Sequence, residues 1–175
     1  MSMQAAVPRK FQEKTVSLAE LHDVLVEANI NPRTGLSTDY LNHFNEMIMM
    51  IGLYESSPDI RDEILAWRLL NYRQHFETSG FRSKALALLG YEMAQPGVKK
   101  HLDSILAEID TVLLAAQAAV RHEHNHGDST HALQEAAEAA ELLIARASAV
   151  INGLAGADEA EADDAQAAVD ALFEA

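Results

Sequence analysis

Residues 98–151 read VKKHLDSILAEIDTVLLAAQAAVRHEHNHGDSTHALQEAAEAAELLIARASAVI, and the spacing of the apolar residues in this stretch decides the fold. Leu102, Ile105, Leu106, Ile109, Val112, Leu113, Ala116 and Val120 recur three and four apart, which places them on one stripe of a helix. Gly127-Asp128-Ser129 supplies a stop and a new cap. Leu133, Ala136, Ala137, Ala140, Leu143, Ile144, Ala147, Val150 and Ile151 then repeat the pattern. Two long helices joined by so short a turn are expected to lie antiparallel. Near the turn the seams are alanine, with Ala115, Ala116 and Ala119 facing Ala136, Ala137 and Ala140. At the far end Leu102, Ile105 and Ile109 face Ile144, Val150 and Ile151. The expectation is a hairpin narrow at its tip and wider at its base.

Upstream, the helical signals are shorter and separately punctuated. Ser17 to Glu20 is a Ser-x-x-Glu capping box ahead of Leu18, Leu21, Leu25 and Ala28, and Pro32 and Gly35 end that pattern. Ser37 or Thr38 caps a second helix through Phe44, Ile48 and Ile51, and Ser57-Pro58-Asp59 opens a third with Ile60, Ile64 and Trp67. A short segment at Asn71 to Thr78 and a longer one at Arg82 to Ala94 follow. Gln95-Pro96-Gly97 punctuates the chain before the hairpin. No strand pattern and no internal repeat occurs. The fold class is all-α: a bundle of five or six helices with a long C-terminal antiparallel hairpin.

Charge divides the chain. Residues 101–175 hold 15 Asp and Glu against Arg121 and Arg146, a net of −13, whereas residues 1–100 hold 12 acids against 11 bases. All four prolines and nine of the ten aromatics precede residue 97. Residues 11–153 therefore read as one domain, with a mixed-charge half to about 96 and an alanine-rich acidic hairpin over 97–153. Residues 154–175 read as an acidic tail, flexible or forming one short amphipathic helix through Val169, Leu172 and Phe173.

Composition also excludes function classes. With no cysteine, disulfides, thiolate metal sites and thiol nucleophiles are absent. A net charge of −14 with no Lys/Arg-rich run opposes binding to nucleic acid or anionic lipid. No segment approaches the roughly 20 apolar residues of a membrane span, and the expected location is cytoplasmic. No phosphate-binding glycine loop, Gly-x-Ser-x-Gly elbow or dinucleotide fingerprint is present.

Two clusters carry chemistry. His122, His124, His126 and His131 crowd the hairpin turn. A helix continuing to 126 would set His122 and His126 on one face, with Asp128 and His131 folding back toward them. Three imidazoles and a carboxylate suit zinc, nickel or copper, so His122, His126, His131 and Asp128 form the first candidate site, with Zn or Ni as its ion. The plainer reading is a solvated polar turn. Asp39, His43 and Glu46 stand at i, i+4 and i+7 beside Met47, Met49 and Met50, and form the secondary candidate for metal or acid–base work. Its plainer reading is a polar flank beside the Phe44 core face. Trp67, Tyr72, His75, Phe76 and Phe81, with Arg68, Arg73 and Arg82 nearby, read as aromatic core covered by arginine stems.

The functional expectation is a non-catalytic cytoplasmic interaction or regulatory protein that associates with itself or with another protein. The first alternative is a divalent-metal-binding protein using the turn histidines. The second is a metal-dependent bundle enzyme centred on Asp39, His43 and Glu46.

Overall fold

A computed structural model describes residues 17–57 and 59–154 of the chain, and these are all-helical, with no strand among them. Seven α-helices occur in order: α1 (Leu18–Glu27), α2 (Asn42–Leu53), α3 (Ile60–Ala66), α4 (Tyr72–Thr78), α5 (Lys84–Met93), α6 (Pro96–His122) and α7 (Thr130–Ile151). A 3-10 turn at Thr38–Leu41 leads into α2. The count among the described residues exceeds the five or six expected, because the segments read at Asn71 to Thr78 and Arg82 to Ala94 each form a separate helix. Trp67 is extended after α3, Asn71 opens α4 with a full capping box, and Ser79 is extended after it. Pro58, residues 11–16 of the expected domain and the tail from 155 onward, with its expected amphipathic helix, lie outside the described residues. Among the described residues no helix is long and apolar enough to cross a membrane.

Helices α6 and α7 run antiparallel, with Glu123 bonded to Ser129 at one end and Glu108 paired with Arg146 further along. Their seam buries Leu102, Ile105, Ile109, Leu113, Ala116 and Val120 against Leu133, Ala140, Ala147, Val150 and Ile151. Ala115, placed in the seam by its spacing, is exposed. Helix α2 packs on α7 and α3 through Phe44, Met47, Met50 and Ile51, and α3 packs on α6. Met47 and Met50 thus fill the core, whereas Met49 faces outward.

Three polar devices hold the pieces together. Gln117, buried near the C-terminal end of α6, donates from Nε2 to the carbonyls of Ile64 at 2.8 Å and Trp67 at 3.0 Å. That bond satisfies the open C-terminal end of α3. Thr34 donates from Oγ1 to the Ile151 carbonyl at 2.6 Å, tying the loop after α1 to the end of α7. Both of those helices end in the same way. Ile30 N–H bonds the Leu25 carbonyl around Asn29 at φ 55°, and Leu154 N–H bonds the Ala149 carbonyl around Gly153 at φ 66°. This is the wrapped helix end that a left-handed residue permits.

Gly35, at φ 73°, meets Gly90 of α5 backbone to backbone: a Cβ built on Gly90 would stand 2.2 Å from the Gly35 oxygen. Gly52 of α2 has nothing within 4 Å of such a Cβ. Alanine in place of a helical glycine ordinarily gains roughly 0.5–1 kcal/mol. Gly52→Ala should therefore be neutral or stabilising in urea unfolding, while Gly90→Ala should lose about 1–3 kcal/mol through overpacking. Equal effects would show that the backbones do not touch.

The α6–α7 seam gives a second test. Ala140 is fully buried and Ala145 of the same helix is exposed. Ala140→Leu should destabilise by about 1–3 kcal/mol in the same assay, and Ala145→Leu by far less.

Candidate functional site

An open groove of about 540 Å³ lies between α2 and α4. One wall is Asn42, His43, Asn45, Glu46 and Met49 of α2; the other is His75, Thr78 and Ser79, and Leu70 joins them. His43 is 7% exposed and stacks on Trp67, with ring centroids 4.7 Å apart and planes 18° apart. The rings of His43 and His75 are 6.1 Å apart and tilted by 53°. His75 in turn meets Tyr40 and Phe76 edge-on. Two buried ring nitrogens, His43 Nε2 and Trp67 Nε1, have no hydrogen-bond partner among the described residues.

Burial sets the protonation of the pair. Desolvation pushes the His43 pKa below its ordinary value, against a backbone hydrogen bond with Arg68, and the neighbouring His75 pushes it the same way. His75 is also pushed down by burial, opposed by the charge and backbone of Asp39 and by the charge of Glu46. Both rings are neutral at pH 7, and each therefore carries one lone pair.

The secondary candidate of the sequence is half assembled here. His43 and Glu46 line the groove, but Asp39 sits in the 3-10 turn, where its carboxylate accepts from Asn29 Nδ2 at 2.7 Å and Ser37 Oγ at 3.0 Å. A tighter turn breaks the 3.6-residue phase that would have kept Asp39 in line with the other two. His75 takes the vacant place, from a helix 32 residues away in sequence.

No family model, curated protein or solved structure matches the chain. The function therefore rests on its own geometry.

The turn between α6 and α7 differs from its expected form. Helix α6 ends at His122 and Glu123 is extended, so His122 and His126 do not share a helical face. The cause is Glu123, whose side chain is 4% exposed. Its carboxylate accepts from Tyr54 Oη and from Ser129 Oγ at 2.8 Å, and Arg61 Nε stands 3.7 Å away. The histidines fan outward around this anchor. His126 lies against the Tyr54 ring, His131 pairs with Glu135, and Asp128 accepts from the Asn125 backbone. Among the described residues no three His, Asp or Glu side chains come together in a group that could hold a metal ion, at this turn or around Asp39, His43 and Glu46.

A surface feature completes the inventory. Helix α1 has no buried residue, and Leu18, Leu21, Val24 and Val26 are all exposed. Leu25 and Ala28, at its C-terminal end, are the positions that reach the core.

The neutral histidines have a measurable consequence. An unfolded histidine titrates near pH 6.5, and burial holds His43 and His75 below that value in the fold. Below about pH 6.5 the unfolded chain binds more protons than the folded one, so the stability these rings contribute is complete above that pH and is lost on acidification. Asp103 and Asp110, raised by burial, act with the opposite sign, their contribution falling away as pH rises through the raised values. Comparing the parent with His43→Phe in urea isolates one ring. The variant should lose less stability than the parent as pH falls below 6.5, and parallel curves would show that His43 is not held neutral.

Proposed function

We propose that this chain is a non-catalytic helical interaction protein that associates with a second copy of itself through α1. The observation that carries the reading is the exposure pattern of that helix. Leu18, Leu21, Val24, Leu25 and Ala28 fall on one side of the α1 wheel, yet only Leu25 and Ala28 meet the core. The stripe begins covered at its C-terminal end and runs out uncovered toward Leu18.

A helix of ten residues is below the roughly 12–15 at which isolated helices hold in water, so it depends on packing of its apolar side. The capping box at Ser17 and Glu20 and the wrapped end at Asn29 shape both termini. Neither covers the stripe. A second α1 laid antiparallel would bring the two Leu21–Val24 segments together and keep the acidic flank, Glu20, Asp23 and Glu27, at the rim, where charges cost least. The acidity of the chain elsewhere, with 15 acids after residue 100, keeps other faces apart and confines contact to the uncharged stripe.

Sedimentation or light scattering across a hundredfold range of concentration tests the reading. The parent should shift from monomer to dimer, and the double variant Leu21→Ser with Val24→Ser should stay monomeric with an unchanged core. A parent that is monomeric throughout, or a double variant that dimerises equally well, overturns it.

A further inference from the structure

The charge pattern of α7 changes along its length. Glu135, Glu138 and Glu141 mark its first half, whereas from Leu142 to Ile151 the helix has no acid and its one charge is Arg146. An open groove of about 780 Å³ runs along this second half, lined by Ala139, Leu142, Leu143, Ala145, Arg146 and Ala149. All six belong to α7, so among the described residues no second element walls the groove. Leu142, at its centre, is 70% exposed. The buried side of the helix is a different one, made of Leu133, Ala140, Ala147, Val150 and Ile151. A surface helix ordinarily carries polar residues away from its core, and α7 stops doing so after Glu141.

The nearest unplaced chain is its own continuation. Gly153 is left-handed at φ 66° and the Leu154 N–H bonds the Ala149 carbonyl, so the chain leaves α7 beside one end of the groove. Residues 155–175 follow, outside the described residues. Their sequence has two parts. Five acids and no large apolar residue fall between 158 and 164, and then Ala165, Ala168, Val169, Leu172 and Phe173 recur three and four apart.

We propose that residues 165–173 pack as a short helix in the α7 groove of the same chain, antiparallel to α7. Lengths match: nine helical residues span about 13 Å, and the path from Ala139 to Ala149 about 15 Å. The ten residues 155–164, which reach roughly 33 Å when extended, are ample to turn the chain back. Shapes match as well, because Ala139, Ala145 and Ala149 are small and leave room for Val169, Leu172 and Phe173. In this register Asp170 comes level with Arg146, whose pairing with Glu108 leaves more than half of its side chain exposed. A nine-residue helix is below the length that holds alone in water, so the segment depends on the surface it covers. A short tether also presents the segment at a millimolar effective concentration, whereas a second copy with a net charge of −14 is repelled.

The absence of cysteine allows one label at one place. Glu174→Cys, carrying a nitroxide, is compared with its reduced form by methyl signals of the full chain. The labelled chain should lose at least half the intensity of the Ala139 and Leu142 methyls, with the loss declining toward Ala149. Adding Leu172→Ser with Phe173→Ser should cut that loss at least fivefold, and so should Leu142→Asp. The same pattern should persist with Leu21→Ser and Val24→Ser, which separates it from the association assigned to α1.

Loss spread evenly over α2, α5 and α7, or unchanged in the Leu172→Ser and Phe173→Ser chain, overturns the proposal. In a mixture, a nitroxide-labelled chain of natural isotope abundance should leave an isotope-enriched, unlabelled chain unaffected. Loss at Leu142 of the unlabelled chain would assign the groove to another copy and overturn docking within one chain. Should Leu142→Asp not fold, the substitutions at 172 and 173 decide alone.

Discussion

The amide of Gln117 is the constraint on which the rest of the molecule depends. It lies in the last two turns of the longest described helix and reaches across to the carbonyls that α3 leaves open at its C-terminal end. Losing it would remove the side-chain donor to the Ile64 carbonyl, at about 1–3 kcal/mol for a buried group left unpaired. Its effect is also positional. Trp67 follows α3 in an extended conformation, and its carbonyl is one of the groups Gln117 holds. Trp67 sets His43 by stacking, and His43 sets the floor of the groove. A neutral side chain on α6 thus joins Arg68 in holding the Trp67 carbonyl, and through it the ring against which His43 stacks.

Glu123 does comparable work at the far end of α6. A carboxylate with a side chain almost fully removed from water is tolerable only with partners, and Tyr54, Ser129 and Arg61 supply them from three elements. The turn is consequently built around an inward acid with the imidazoles turned outward. Most acids of α6 and α7 face solvent, whereas Glu123 is turned inward, where it ends one helix and leads the chain toward the next.

The long-period parts of this arrangement are legible in the sequence. All-helical character, the start of α1 at its capping box, the end of α7 at Gly153 and the apolar stripes of α6 and α7 follow from spacing and cap residues, which are local properties. What escapes is non-local. His75 reads as one more aromatic in a core patch, because nothing in its spacing points to a helix 32 residues upstream. Glu123 looks like a spacer between two histidines, since burial of a carboxylate depends on Tyr54 and Arg61, which lie far away along the chain. Asp39 fails for a subtler reason: a single 3-10 turn changes the angle per residue, and periodicity arithmetic assumes that angle constant.

The contact between Gly35 and Gly90 has a consequence for how this chain can change over time. Because two backbones touch with no side chain between them, neither position offers a graded series of substitutes: the residue is glycine or the loop and α5 separate. The register of α5 is locked to the loop that carries Thr34 and Ser37, since removing one residue from α5 before position 90 would rotate its neighbour into the contact by about 100°. Length variation in this part of the chain is therefore confined to the turns on either side of α5.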